Sequence, residues 1–151
     1  LIIVIILLIG FDIGFADTTR MPLANASFTT QSGKEVSFVL EVAATPEHRK
    51  VGLMNRWNIG QFQGMLFLFP KEKDYEFWMS NTYIPLDIIF INTEDRVVHI
   101  EAEAEPESLR GRSAKQLVKT VIELPGGTTR AENIQIGDKV SYILSQPVEV
   151  R

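Results

Sequence analysis

The stretch Leu86–Ile91, LDIIFI, limits what this chain can fold into more than any other. Successive residues of an extended segment point to opposite sides, so its apolar side chains occupy both faces. A strand of that kind has to be covered twice. It lies within a longer line, Phe77–Asn92 (FWMSNTYIPLDIIFIN), that sets Trp78, Asn81, Thr82 and Asp87 among core-type residues. Pro85 biases Ile84 to an extended conformation, which divides the line into two runs joined through Asn81–Pro85.

The remaining apolar runs are short and separated by turn formers. Val36, Phe38, Leu40 and Val42 alternate with Ser37 and Glu41, the pattern of a half-buried strand. A hairpin is expected to link it to Ser27–Gln31 around Ser32-Gly33-Lys34. Thr45-Pro46-Glu47 reads as a helix start, with a capping hydroxyl and Pro at the first helical position. That helix is expected to reach about Met54 and to bury Val51 and Met54. Further strands are expected over Met65–Phe69 (ended by Pro70), Tyr75–Ser80, Leu86–Ile91, Val97–Glu105, Lys119–Leu124 and Lys139–Leu144. A helical turn is expected near Thr129–Asn133, and Ser108–Gln116 reads as a mobile loop. About eight strands with one or two short helices give an all-β class, a jelly-roll-like sandwich or compact barrel. No strand–helix alternation of the kind that builds parallel sheets is visible.

At 151 residues with 45% apolar and 23% charged side chains, the chain has the make-up of one globular domain. It contains no Cys, which removes disulfides, thiolate metal sites and cysteine nucleophiles. A net charge of -4 with scattered Lys and Arg argues against a nucleic-acid partner. Leu1–Ile9 is an unbroken apolar run, about half of the roughly 20 residues that cross a bilayer. With Gly14 and Ala16 before Asp17 it reads as a signal peptide over 1–16, truncated at its start. The alternative is an uncleaved membrane anchor. Residues 17–26 then form a linker and 27–151 a single β domain, periplasmic or secreted, with no stable membrane insertion after cleavage.

Asp87 is the most informative residue, a carboxyl among apolar neighbours. Buried, ionised and alone it would cost several kcal/mol, on the order of the penalty for any unpaired interior charge. It is expected either to cap the Asn81–Pro85 connection through backbone donors or to pair with Arg56. Direct use on a ligand is the third option, since burial can raise a carboxyl pKa towards neutrality. Trp78 is either core or a stacking platform, and Asn81 and Thr82 are either turn formers or a polar edge beside it. His99, Glu101, Glu103 and Glu105 alternate on one strand face, more readily a solvated surface than a hard-cation site. His48 and His99 lack the spacing of a transition-metal site. Pro125-Gly126-Gly127-Thr128 reads as a turn delivering a helix cap. A paired-carboxyl arrangement would require Asp87 with Glu76 or Glu123.

Four segments, TPEHRKVGLMNR, GMLFLFP, FWMSNTYIPLDIIFIN and VIELPGGT…IGDKV, occur in the order found in the domain of unknown function 192 family, which the chain resembles over about Thr29–Ile143. The resemblance implies a small, largely β, often exported domain of jelly-roll type, and no established activity. It is weakest between Val98 and Lys119, where a Glu-rich strand and SLRGRSAKQL replace a segment that more often holds Pro and Tyr.

Together these features predict a binding or accessory module of the cell envelope, without cofactor or metal. Its expected site combines Arg56, Trp78, Asn81 and Asp87, with Thr82 and Met65 at the margin. Arg suits an anion and Trp a sugar ring, so a saccharide-like or anionic ligand is expected. The alternatives are a hydrolase or lyase on envelope polysaccharide, with Asp87 as acid or base, and a structural interaction module. The sequence sets no oligomeric state.

Overall fold

A computed structural model describes residues 21–151. The expected signal peptide over 1–16, and residues 17–20 of the expected linker, lie outside the described residues. Seven strands and two short helices follow in the order β1 (Leu23–Thr29), β2 (Glu35–Ala43), α1 (Pro46–Val51), β3 (Gln63–Lys73), β4 (Leu86–Ile91), β5 (Val97–Ala104), β6 (Val118–Pro125), α2 (Thr128–Glu132) and β7 (Lys139–Leu144). The strands make one sheet, in the order β5-β4-β6-β3-β2-β1-β7, curled into a half-barrel. This is the expected all-β class with two short helices.

The curl brings the two edges of the sheet together at one corner. Arg96, just before β5, bridges antiparallel to Lys139 of β7, and the Val140 N–H donates to the Asp95 carbonyl at 2.8 Å. The inner face of the curl holds one core, including Phe28, Phe38, Leu40, Leu66, Ile89 and Ile122. A second core lies on the outer face, where Leu53 and Met79 cover Met65, Phe67, Ile88, Phe90 and Val121. The central strands β4, β6 and β3 are therefore covered on both sides, which is why every residue of LDIIFI is buried. β2, nearer the edge, alternates buried and exposed as its sequence pattern requires.

Several elements differ from the sequence-based expectation. β1 starts at Leu23, inside the expected linker, because Ala24 and Ala26 fill a tight interior position with little apolar signal. β2 and β3 pair in parallel, so β2-α1-β3 is a crossover unit that the sequence did not announce. Its helix spans only six residues and buries none of them, hence no helical period. Val51 is half-exposed, and Leu53 is the residue that enters the core. Pro70 does not end β3; it lies in an irregularity between Leu68 and Lys73 where pairing with β6 lapses. Tyr75–Ser80 is not a strand of the sheet. It crosses the outer face and pairs only at Phe77, whose backbone exchanges two 2.8 Å hydrogen bonds with Arg112. That exchange ties down the Ser108–Gln116 loop, with the Arg112 side chain buried beside Glu101.

Candidate functional site

Two acids occupy the hydrocarbon of the central strands, on opposite faces of the sheet. Asp87 of β4 faces inward and is fully buried. Its Oδ1 accepts from the backbone N–H groups of Glu103 (2.8 Å) and Gly127 (2.9 Å). Its Oδ2 accepts from the N–H (2.8 Å) and the hydroxyl (2.7 Å) of Thr129. Gly127 is the N-cap of α2 and holds φ at 86°, a conformation that favours glycine and leaves no side chain to cap the helix. Asp87 supplies that cap from a distant strand. Neither expected partnership is present. The carboxyl caps the Gly127–Thr129 turn rather than the Asn81–Pro85 connection, and Arg56 forms a bidentate pair with Glu41 at 2.6 and 2.7 Å. With four donors on two oxygens, Asp87 has no exposed oxygen with which to act as an acid or base on a ligand.

Glu123 of β6 faces outward and is 5% exposed. Its register partners are Met65 on β3 and Ile88 on β4, both fully buried. The two strands close tightly here. A Cβ on Gly64 would lie 2.1 Å from the Glu123 carbonyl oxygen, so only glycine permits the approach. The Glu123 carboxyl has no salt bridge among the described residues, and burial pushes its pKa up to about 8. It therefore keeps its proton at neutral pH.

Above Glu123 lies a cavity of about 520 Å³, within the size range of small-molecule sites. Its walls are largely aromatic: Phe67 and Phe69 from β3, and Tyr75, Phe77 and Trp78 from the segment that crosses the outer face. Phe67 meets Phe77 edge to face at 5.1 Å between centroids, and Phe69 stacks on Tyr75 at 3.6 Å. Leu53 and Met54, after α1, close another side. Arg49, Lys50 and Glu76 add charge to the lining. The guanidinium of Arg49 is already committed: Nη1 donates to the carbonyls of Ala44 and Leu68 at 2.8 Å each, Nη2 donates to that of Arg151, and the group lies 5.1 Å from the Phe69 ring centroid. α1 is positioned by its Thr45 cap, whose hydroxyl accepts from the His48 N–H at 3.2 Å.

Of the expected site residues, the structure gathers two at this cavity. Trp78, 54% exposed, stands at its solvent side, and Thr82 is buried in its lining. Met65 is buried beside Glu123 but does not line the cavity. Asn81 is exposed, with φ at 53°, and its carbonyl accepts from the Asn55 N–H; it makes a turn and lies outside the lining. Arg56 and Asp87 are elsewhere. The acidic face of β5 is interrupted, since Glu103 has φ at 49° and the register with β4 shifts there. Glu101 pairs with Arg110 and Arg112, and Glu103 pairs with Arg130. Among the described residues no group of three His, Cys, Asp or Glu side chains is placed to hold a metal ion.

From the sequence Glu123 is expected only as a partner for Asp87 in a paired-carboxyl arrangement. The signal that marks it is the same one that marks Asp87: a lone acid inside an apolar run, here Val121-Ile122-Glu123-Leu124. Its strand neighbours face the opposite core, so the two acids cannot form the paired arrangement.

Comparison with protein-family models matches residues 27–142 to DUF192, described as "Uncharacterized ACR". No curated protein matches the chain. Among solved structures, a protein from Sinorhizobium meliloti described as a "putative transcription regulator" superposes with a TM-score of 0.80 at 31% identity, over 82% of this chain and 95% of that one. A protein of unknown function from Novosphingobium aromaticivorans superposes with a TM-score of 0.76 at 37% identity, over 79% of this chain and 84% of the other.

Proposed function

Because the chain belongs to the domain of unknown function 192 family, whose description assigns no activity, we propose from its geometry that it is a small-molecule binding module acting through the cavity above Glu123. The observation that carries this reading is a buried carboxyl, without an ion-pair partner among the described residues, beneath aromatic walls. A packed core would not retain such a group without cost, and a polar group set in an apolar pocket is how small-molecule sites orient their ligands. The ligand it suits is mostly apolar, with one hydrogen-bonding head. A sugar would need more buried polar partners than Glu123 and Thr82 supply, so the expected saccharide-like ligand gains no support from the lining. An anion loses its expected partner, because Arg56 is paired with Glu41 and Arg49 is committed to carbonyls. The polysaccharide-hydrolase alternative loses Asp87 as its acid. The regulatory role printed for the S. meliloti neighbour is a statement about that protein. Here the pairing of Arg56, Arg110, Arg112 and Arg130 with glutamates and the net charge of -4 favour a small ligand over nucleic acid. The apolar run Leu1–Ile9 supports an exported setting, which fractionation of cells carrying the intact chain would check.

The test is a fragment screen read by two-dimensional NMR. Binding fragments should move the backbone signals of Gly52, Leu53 and Thr82 and the Trp78 indole signal, and Glu123→Leu should change which fragments bind. Fragments that bind only elsewhere, or none at all, would refute the assignment.

A further inference from the structure

We propose that the cavity takes a planar ligand that presents an N–H and a C=O side by side, as a lactam or primary amide does, and that the Glu123 carboxyl makes both hydrogen bonds. The inference rests on the binding role above and names its ligand class. Glu123 lies between the buried side chains of Met65 and Ile88, and no described residue forms a salt bridge with it. A buried carboxyl without a cation stays protonated, because the ionised form is the costlier one in hydrocarbon. A protonated carboxyl offers one donor oxygen and one acceptor oxygen in a common plane. An amide edge is its complement: the ligand C=O accepts the carboxyl O–H, and the ligand N–H donates to the carboxyl C=O. Both partners stay neutral, so both are satisfied without burying a charge. Phe67, Phe77 and Trp78 supply the flat apolar walls that a planar ring fills.

A cationic ligand fits less well. Glu123 would have to lose its proton, and the ligand would share the cavity with Arg49 and Lys50. The titratable groups that face the cavity are those two from α1, together with Tyr75 and Glu76 from the crossing segment; β3 and β4 present none. Burial holds the Tyr75 phenol above its ordinary range, so it does not take over the titration expected of Glu123.

The experiment uses the full chain and the probes 2-quinolone, N-methyl-2-quinolone and benzylamine, with affinities read from NMR titrations of the cavity residues. 2-Quinolone should bind about tenfold or more tightly than its N-methyl analogue, which lacks the N–H. Its affinity should fall as pH rises above about 8, by roughly tenfold per unit once Glu123 is ionised. Glu123→Gln keeps a donor and an acceptor in one plane, so it should retain 2-quinolone binding and lose the pH dependence. Glu123→Leu should lose about tenfold or more. Equal binding of the two quinolones would overturn the amide proposal while leaving the binding role standing. Preferential binding of benzylamine, strengthening as pH rises, would overturn it in the same way. Failure of all three probes and of the fragment screen at the cavity would remove both. The comparison of the two quinolones on the unmodified protein needs no variant to fold.

Discussion

Asp87 receives four hydrogen bonds from described residues on the inner face of the sheet, whereas Glu123, one strand away on the outer face, lies at the base of a cavity. Removing the first acid strands its donors in the interior. Asp87→Ala should cost about 3–5 kcal/mol in urea denaturation, because the N–H groups of Gly127 and Thr129 lose their partner. Arg56→Ala is the contrast. Its pair with Glu41 is about one-third exposed on each side, so the loss should be below about 1 kcal/mol and should shrink in high salt. Glu123 affects stability through its proton. The unfolded chain releases that proton near 4.5 and the folded protein near 8, so between these values the folded state binds more protons. Stability should therefore fall as pH rises from about 4.5 to about 8, by a few kcal/mol in order of magnitude, and level off above. Glu123→Gln should abolish that slope. Both acids were visible in the sequence as single charges within apolar runs. Their opposite roles were not, because the role depends on which face of the sheet each one meets and on donors brought in from 40 residues away.

The cavity is built by two irregular elements laid over a regular sheet. β2, β4 and β7 were legible because alternation or continuous apolarity marks them strongly. The start of α1 was legible from its Thr45-Pro46 cap, but its short length and its place as a wall were not, since the helix buries nothing. The crossing segment Tyr75–Ser80 was misleading because it alternates like a strand while pairing only at Phe77. Trp78 and Thr82 could therefore be named without the α1 wall that faces them. The floor depends on the close approach of β3 to β6. Gly64→Ala would push a methyl group against the Glu123 carbonyl and should destabilise by about 3 kcal/mol or leave the protein insoluble, as read by thermal unfolding and soluble yield. The capping residue gives a milder test. Thr45→Ala should cost about 1 kcal/mol in the same unfolding assay.

At the scale of the whole molecule, the curl of a single sheet makes one core inside and leaves the outer face of β3, β6 and β4 to be covered by other parts of the chain. That outer cover is incomplete above Glu123, and the gap is the cavity. The two superposed structures share this fold, whose all-β class the order of short apolar runs already implied. The parallel β2-α1-β3 crossover was hidden because its helix is six residues long and surface-bound. Central to the account is Glu123 as a protonated acid at the base of that gap. Its carboxyl carbon can be followed by ¹³C NMR in protein labelled on glutamate and assigned by comparison with Glu123→Gln. A titration midpoint near pH 8 is the predicted result; a midpoint near 4.5, the ordinary glutamate value, would contradict it.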